Sequence, residues 1–399
     1  MPPGTGAPAI RIDRERSPVP LSDMRTIDDI SVIVYGRANR DNTVARRFLD
    51  LRGKELIECG DDDGIEAALA SLRERGVPSK SVLVLKPFLG RMYQKCPGSP
   101  GMICCNYRLV NIGFNCLYDC TYCFLNSYLN SYGIVQFVTP APTLAELEPE
   151  LLSSPDMPIR VGTGEFTDSL VLDAISGVSE ALIAEASRHP NLFLELKTKS
   201  GDVSHLLGIR EKGNTVLAWT LNTVRNIDRY EAGSAPLERR IRAASEAAAA
   251  GYLTAFHFDP MIEYDGWIDG YCAVVDEVFA SVDPRSVAWI SMGCFRYSHG
   301  FREIVRGAFP DERLTVAEMF PGEDGKYRYL KQKRVGAYRA LLGRIRSHTA
   351  TPFVYLCMES SSVWDAVFGV AYQSSDELEQ AIAGHLKKLF TGRNIVQNE

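Results

Sequence analysis

Three cysteines lie close together in the chain and could bind one metal centre. They are Cys116, Cys120 and Cys123, with the spacing Cys-x3-Cys-x2-Cys. Thiolates this close in sequence pair poorly with each other as disulfides, but they converge on a metal when the backbone curls around it. Soft sulfur ligands favour zinc or an iron–sulfur cluster, and structural zinc needs a fourth ligand. The spacing predicts an iron–sulfur cluster with one open iron. The alternative is a zinc knuckle completed by Cys104 or Cys105.

Polar residues also follow four successive predicted strands. Parallel strands of a barrel bring their carboxyl ends to one rim, so we expect these groups to lie together. A zwitterionic amino-acid group needs both a carboxylate and an ammonium partner, and this set offers both. Taken singly, each group is equally compatible with a tight turn or an exposed strand end. The residues are Gly162, Gly164 and Glu165, then Lys197 and Lys199, then Thr220 and Asn222, and finally Asp259.

The elements that must position these residues follow an α/β pattern. Apolar runs typical of buried strands alternate with helical periodicity over residues 101–300, which implies a parallel sheet with helical crossovers. Residues 29–100 show a shorter alternation and predict a small N-terminal α/β appendage, while residues 301–399 are predicted to complete the barrel as a C-terminal extension. Residues 1–28 are rich in Pro, Gly and charge and are predicted to be a disordered arm.

The composition is that of an ordinary globular enzyme. With 399 residues, 45% of them hydrophobic, the chain can bury a large core. No apolar run is long enough to span a bilayer and the N-terminus lacks a signal pattern, so we expect no membrane association. Ten cysteines in a chain of this length fit a reducing compartment, and we expect the cytoplasm. The net charge of −6 provides no overall attraction to nucleic acid.

With Tyr122 before its third cysteine and Phe124 after it, the cysteine loop resembles that of the radical S-adenosylmethionine (SAM) enzymes. In that superfamily SAM chelates the open iron of a [4Fe–4S] cluster. Reductive cleavage of SAM yields a 5′-deoxyadenosyl radical, which abstracts hydrogen from the substrate. The resemblance therefore implies both cofactors, an oxygen-sensitive enzyme, and an external one-electron reductant such as flavodoxin or ferredoxin.

Further runs resemble one branch of that superfamily, the spore photoproduct lyase family, from about Lys80 to at least Arg334. They include Lys197-Thr-Lys199, Thr220-Leu-Asn222, residues 233–241 and residues 260–267. The resemblance implies a partial (β/α)6 TIM barrel of the radical SAM type. It also implies that Thr167, Lys199 and Thr220 hold SAM.

Two positions depart from that family's pattern. In the family, a cysteine returns a hydrogen atom to the product thymine radical and a tyrosine after the third cluster cysteine relays it. Glu165 and Phe124 stand at these positions here, and the O–H bond of a carboxylic acid is too strong to donate a hydrogen atom. Asp259 adds a charge where the family has a small residue, and Tyr122 is kept. Cys294, at a predicted strand end, is a candidate replacement donor, so we predict catalytic roles for Tyr122, Asp259 and Cys294.

Together these features predict a radical SAM enzyme acting on a nucleobase or DNA lesion. The replaced residues and the acidic charge balance favour, as an alternative, a small-metabolite substrate. A non-enzymatic nucleic-acid-binding module stabilised by zinc or a cluster is a third hypothesis. The basic and aromatic segment 327–334 could contact single strands or simply lead into a helix. The sequence indicates no oligomeric state.

Overall fold

The computed structural model describes residues 24–128, 132–138 and 144–390. Most of the predicted arm, up to residue 23, lies outside the described residues. Its last residues are ordered where they are described: Thr26 caps the turn Ile27–Asp29. Arg25 donates a backbone hydrogen bond to the Gly233 carbonyl (2.8 Å) and a side-chain hydrogen bond to the Leu117 carbonyl (3.1 Å). Arg25 thus contacts the cysteine loop, and the extent of the arm stays a prediction.

The first part of the chain builds most of one sheet and starts another. Up to residue 138 the strands are β1 (Val32–Gly36), β2 (Glu55–Cys59), β3 (Val82–Lys86), β4 (Tyr93–Lys95), β5 (Arg108–Val110), β6 (Gly113–Phe114), β7 (Asp119–Cys120) and β8 (Ile134–Phe137). The helices are α1 (Thr43–Leu49), α2 (Asp62–Glu74) and α3 (Leu125–Tyr128).

Five of these strands form the N-terminal sheet of the described chain, in the order β2-β1-β3-β8-β6. All pairs are parallel except β6 with β8. Strand β1 is buried along its whole length, as expected of a parallel strand covered on both faces. Strands β6 and β8 lie after residue 100, on either side of the cysteine loop, and both belong to this sheet. The predicted boundary at residue 100 therefore runs through the sheet.

The remaining elements follow in two groups. Residues 144–261 contain strands β9 (Ile159–Gly162), β10 (Leu192–Thr198), β11 (Asn214–Thr220), β12 (Glu231–Ala232) and β13 (Leu253–Met261), with helices α4 (Glu148–Ser153), α5 (Asp173–Ser176), α6 (Val178–Ala186), α7 (Ser204–Leu207), α8 (Val224–Tyr230) and α9 (Leu237–Ala249). Residues 262–390 contain β14 (Val287–Cys294), β15 (Arg296–Tyr297), β16 (Phe320–Pro321), β17 (Tyr327–Arg328) and β18 (Phe353–Leu356), with α10 (Trp267–Ser281), α11 (Phe301–Ala308), α12 (Lys331–His348), α13 (Ser361–Phe368) and α14 (Ser375–Phe390).

The main sheet curls into the predicted partial barrel. Within the described ranges its order is β18-β14-β13-β11-β10-β9-β5-β4, and each neighbouring pair from β18 to β5 is parallel. Its two edges approach each other where Ile103 bridges Glu359. The prediction of a partial TIM barrel is confirmed, and the carboxyl ends of its strands form one rim.

Hydrophobic burial explains both layers of this barrel. Residues of β10, β11, β13 and β14 share one large core with the helices outside them. Helix α9 runs as its apolar face predicts, and Gly251, with φ of +91°, lies just beyond its end. Along the described parts of the chain, no helix is both long and apolar enough to cross a membrane.

Candidate active site

The cysteine loop leaves the end of β6 and is held by backbone pairing. Strand β7 pairs antiparallel with β12, and the Thr121 N–H donates to the Tyr230 carbonyl at 2.8 Å. The Cys123 N–H donates to the Cys120 carbonyl at 3.1 Å, which closes a tight turn. Lys80 donates from its ammonium to the Cys116 carbonyl and to the Asn115 side chain. The loop is thereby fixed at both ends before any metal binds.

The three thiols of this loop lie near one another. Burial, together with the neighbouring Asp168 and Cys123, raises the pKa of Cys116 to about 12, against the opposing charge of Lys80. Burial also raises the pKa of Cys120, to which Cys116 and Cys123 add. Lys199 opposes this at both Cys120 and Cys123, because its positive charge favours the thiolate. Three converging soft donors beside a cation fit an iron–sulfur cluster.

The described residues form no site for a single metal ion. Among the residues that the structure describes, no group of three or more His, Cys, Asp or Glu side chains could hold one metal ion. That is true of Cys116, Cys120 and Cys123 as of every other described group. Cys104 and Cys105 are the predicted fourth ligands of a zinc knuckle. Both raise the pKa of Cys357, the residue after β18, in addition to the larger effect of burial.

A half-buried carboxylate fixes the backbone of Lys199 beside the cysteine loop. Asp168 accepts the Lys199 backbone N–H at 2.7 Å and the Thr198 hydroxyl at 2.6 Å, which fixes the end of β10. The Lys199 ammonium lies 5.6 Å from the centroid of the Tyr122 ring. Burial lowers the pKa of Lys199, but Cys120 and Glu231 more than offset this and raise it. A charged ammonium therefore faces the cysteine loop, as predicted for a SAM-binding residue.

The structure brings Glu165 to a different lysine. Burial lowers the pKa of Lys197, yet Glu165 and Glu195 raise it overall. Lys197 lies on β10 and Lys199 directly follows its last residue, so Glu165 acts on the lysine two residues before the predicted partner. The sequence predicts that Glu165 and Lys199 bind the two ends of an amino-acid group. In the structure Lys197 interacts with both of them.

The two predicted glycines are required by packing of the chain on itself. A Cβ at Gly162 would lie 1.4 Å from the Tyr107 hydroxyl oxygen. A Cβ at Gly164 would lie 2.9 Å from both the Cβ and the carbonyl oxygen of Lys197. These contacts account for both glycines without a ligand, and a SAM contact for either stays a prediction.

Asn222 is hydrogen-bonded on all sides within the protein, and its contact with SAM stays a prediction. It is fully buried, and its amide nitrogen donates to Glu231 (3.3 Å) and to the Pro260 carbonyl (3.2 Å). Its amide oxygen accepts from Tyr271 (2.6 Å) and Asn226 (3.1 Å). With both ends of the amide satisfied inside the protein, Asn222 ties β11 to β13, α8 and α10.

The other two predicted SAM residues lie at the same rim. Thr220 is the last residue of β11 and is buried, and its carbonyl accepts a hydrogen bond from Arg240 at 2.8 Å. Thr167 is half-buried and directly precedes Asp168. Their contacts with SAM stay predictions.

A buried ion pair that the sequence did not reveal supports this whole region. Glu231 and Arg240 are both fully buried and 2.6 Å apart. The Tyr122 hydroxyl donates to the other oxygen of Glu231 at 2.5 Å. Arg240 also donates to the carbonyls of Ala235 and Thr220, so each charged group is hydrogen-bonded on several sides. Burial raises the pKa of Glu231, but Arg240, Lys199 and the Tyr122 hydrogen bond together outweigh it and hold the pKa low.

Asp259, a predicted catalytic residue, is neutralised in place. Arg296 donates to both of its oxygens, at 2.9 and 3.1 Å. The same guanidinium reaches the Cys357 sulfur at 3.3 Å. The charge that Asp259 adds to the rim is thus paired, and its catalytic role stays a prediction.

Cys294, the proposed replacement donor, is only 2% exposed. Its N–H donates to the Tyr338 hydroxyl of α12 at 2.7 Å. Burial raises the pKa of its thiol, and Glu359, Arg334 and Asp259 are its charged neighbours. Its role as a hydrogen donor stays a prediction.

Three of the four basic residues in segment 327–334 are paired with carboxylates of the protein, and Lys331 donates to the Ser362 hydroxyl. Arg328 pairs with Asp324, Lys333 with Glu263, and Arg334 with Glu359. Helix α12 begins at Lys331. This arrangement agrees with a helix lead-in and leaves little free charge for nucleic acid.

An exposed aromatic cluster borders the cysteine loop. Phe124 is 42% exposed and Tyr128 63% exposed. Their ring centroids are 5.9 Å apart, and Phe166 stacks on Tyr128 at 5.7 Å. Exposed rings beside a reactive centre offer a flat surface on which a planar ligand can stack.

Known proteins resemble this arrangement in sequence and fold. The family model described as spore photoproduct lyase matches residues 104–342, more than half of the chain. A curated spore photoproduct lyase from Bacillus subtilis is 25% identical over 213 residues, covering 51% of this chain and 60% of the relative. One from Clostridium acetobutylicum is 23% identical and covers 53% and 62%. The match thus spans less than two thirds of the length of these relatives.

A solved structure of a spore photoproduct lyase complexed with dinucleoside spore photoproduct has the same fold. Its TM-score is 0.70 at 20% identity, and the match covers 82% of this chain and 98% of that one. A variant of such a lyase with bound AdoMet and dinucleoside spore photoproduct gives a TM-score of 0.69, also at 20% identity. At this identity the likeness establishes the fold.

The Glu231–Arg240 pair generates the first prediction. Glu231→Gln leaves the Arg240 charge buried without its counter-ion, so we expect the free energy of unfolding to fall by about 3–5 kcal/mol. Arg242→Ala is the matched control on the same helix, because its pair with Glu238 is 61% and 81% exposed. Exposed pairs contribute about 0–1 kcal/mol. Chemical denaturation measures both variants, and equal stability of the two would contradict the prediction.

Proposed function

Because the chain belongs to the spore photoproduct lyase family, we propose that it is a radical SAM enzyme that acts on a nucleobase or DNA lesion. The observation that carries this proposal is the Lys199 ammonium, which lies 5.6 Å from the ring of Tyr122 in the cysteine loop, while Asp168 fixes the Lys199 backbone. A cation at that point is what the carboxylate of SAM requires when SAM binds an open iron. The three thiols of the cysteine loop would bind the cluster, and the Lys199 ammonium, from another segment of the chain, would bind the SAM that the cluster holds.

The residues of the chain have distinct roles in this proposal. Cys116, Cys120 and Cys123 would hold a [4Fe–4S] cluster, and Lys199 would bind the carboxylate of SAM. When bound, the two cofactors supply reductive cleavage of SAM to a 5′-deoxyadenosyl radical that abstracts hydrogen from the substrate. The protein orients the reactants and keeps water away from them. Tyr122 lies between Lys199 and Glu231, so it is positioned to pack against bound SAM.

The exposed aromatic cluster supports a base-like substrate. Phe124, Tyr128 and Phe166 lie beside the third cysteine, where a nucleobase could stack on an open ring face. Stacking on aromatic side chains contributes about 1–3 kcal/mol per base. The pairing of the basic segment 327–334 favours recognition of one or two bases over a long stretch of backbone.

A small polar metabolite is the second candidate substrate. Asp259 pairs with Arg296 at this rim, and Glu165 raises the pKa of Lys197 there by its negative charge. Paired charges can be redirected to the carboxylates or amines of a small molecule. The aromatic cluster has no evident role in that case, so we rank this candidate second.

A cytoplasmic enzyme served by flavodoxin or ferredoxin fits the same proposal. All ten cysteines lie in the described ranges and all are free thiols. Free thiols and an oxygen-sensitive cluster both require a reducing compartment. A small reductant of this kind would deliver the single electron that the cluster needs.

The SAM site gives the second prediction. Lys199→Ala removes a charge-assisted hydrogen bond of about 1.5–3 kcal/mol, so we expect SAM affinity to fall about tenfold or more. The iron content should not change, because Lys199 is not a cluster ligand. Lys212→Ala, which removes an ammonium that packs on Tyr252, is the control. Equilibrium SAM binding to the anaerobically reconstituted protein tests this, and unchanged affinity in Lys199→Ala would refute the placement.

The third prediction concerns the return of hydrogen to the product. The wild type should cleave SAM but release little thymine from dinucleotide spore photoproduct, because Glu165 and Phe124 replace the thiol and the relay tyrosine. Glu165→Cys combined with Phe124→Tyr should increase thymine release over the wild type. Anaerobic incubation with SAM and reductant, followed by chromatography, measures both.

Two outcomes of the same assay would contradict the third prediction. Multiple-turnover release by the wild type that is lost in Cys294→Ala would show that Cys294 is the new donor. Release that survives removal of every cysteine outside the cluster motif would show that the radical is quenched without a thiol, and our account of this step would be wrong.

A further inference from the structure

Four cysteines outside the motif come together at the open side of the barrel. Cys96, Cys104 and Cys105 lie on the segment between β4 and β5, and Cys357 follows β18. These two stretches are far apart in sequence but adjacent in space. The Ile103 N–H donates to the Glu359 carbonyl at 2.9 Å and bridges the two sheet edges.

Further contacts hold the two stretches in register. The Ser99 hydroxyl lies 3.5 Å from the Met358 sulfur, one residue beyond Cys357. Arg160, buried inside the barrel, donates to the Cys105 carbonyl at 3.0 Å and to the Tyr355 hydroxyl at 3.5 Å. The two stretches that carry the four cysteines are therefore held side by side.

N–H groups favour the thiolate at three of the four sulfurs. The backbone N–H groups of Gly98 and Ser99 lower the pKa of Cys96 and Cys104, respectively, against the larger effect of burial. Arg296 reaches the Cys357 sulfur at 3.3 Å. The Cys104 sulfur also lies 3.0 Å from where a Cβ at Gly98 would be, so the loop wraps closely around it. N–H donors of this kind stabilise metal-bound thiolates and tune their potential.

Two cations offset the unfavourable effect of burial on these thiolates. Burial raises the pKa of Cys96 and of Cys357, and the neighbouring Cys104 and Cys105 thiols add to this at both. Arg296 and Lys326 oppose this at Cys104. The Lys326 ammonium is held against the Ser99 hydroxyl at 2.6 Å and the Met358 sulfur at 3.4 Å, directly beside the thiols.

We propose that Cys96, Cys104, Cys105 and Cys357 bind a second iron–sulfur cluster. Four thiolates complete the coordination of a [4Fe–4S] cluster, so this centre would have no open iron and would not bind SAM. A cluster fits this set better than zinc, because each iron takes one thiolate whereas a lone zinc must reach all of its ligands at about 2.3 Å. The described thiols form no such single-ion group, and the motif cysteines share that property.

The second centre would face the first across the mouth of the barrel. Cys96 interacts with Glu165, and Cys357 interacts with Asp259. Both carboxylates also act on Lys197, which lies two residues before Lys199. A substrate at this rim would thus lie between two clusters. This assignment does not depend on which substrate the enzyme uses.

The test is the iron and sulfide content of the full chain after anaerobic reconstitution. We expect about eight irons in the wild type and about four in each of two variants. One variant is Cys116→Ala/Cys120→Ala/Cys123→Ala, and the other is Cys96→Ala/Cys104→Ala/Cys105→Ala/Cys357→Ala. The motif variant should keep an electron paramagnetic resonance signal on reduction and yet cleave no SAM.

Matched controls and single variants make the result decisive. Cys59→Ala/Cys272→Ala removes two thiols outside both sets and should keep the full iron content. Because the fourfold variant removes four partly buried side chains, Cys96→Ser and Cys357→Ser are measured alone, and each should alter the spectrum of the cluster that the motif variant retains.

Three results would overturn the proposal. They are about four irons in the wild type, a motif variant without iron, and one zinc without sulfide in the motif variant. None of them bears on SAM cleavage by the wild type, so a failure here is distinguishable from a failure of the proposed function.

Discussion

The buried ion pair between Glu231 and Arg240 is the interaction on which the site depends. It joins three parts of the rim: β12, which pairs with the cysteine loop; the end of β11, through the Thr220 carbonyl; and Tyr122, through its hydroxyl. Burying two charges is costly unless every donor and acceptor is satisfied. Arg240 meets that condition with two carbonyls, a hydroxyl and Glu231, so the pair has only one favourable geometry. The geometry of the cofactor site is fixed as a result.

Chemistry that is local in sequence could be predicted, and chemistry that depends on burial could not. The cysteine spacing and the apolar runs of the barrel strands were sufficient for the loop and the fold. Glu231 and Arg240 carry no local signal, because a charged residue at a strand or a helix start is usually solvated. The sequence predicts a SAM contact for Asn222, because its burial is likewise not visible in the local pattern. Its position at a strand end was correctly predicted, but only the packed structure reveals that Tyr271, Asn226 and Glu231 use its amide.

The sequence does not show which of two lysines binds an anionic group: Lys197 on β10 or Lys199 just after it. They are two residues apart, so either could have been the partner of such a group. Asp168 decides between them by holding the backbone of Lys199 at the end of the strand, where its ammonium meets the cysteine loop. Lys197, one step further back, is left to Glu165. No sequence pattern carries this information, because it depends on where the strand stops.

The same arrangement explains how Glu165 can stand where the family has a cysteine. A carboxylate at a rim that is partly closed to water would ordinarily be penalised by desolvation. Here Lys197, part of the run shared with the family, already supplies a neighbouring positive charge. Asp259 is accommodated in the same way by Arg296, which also contacts Cys357. The departures from the family pattern are therefore charge-compensated substitutions that retain the SAM side of the rim and change the side where a substrate would lie.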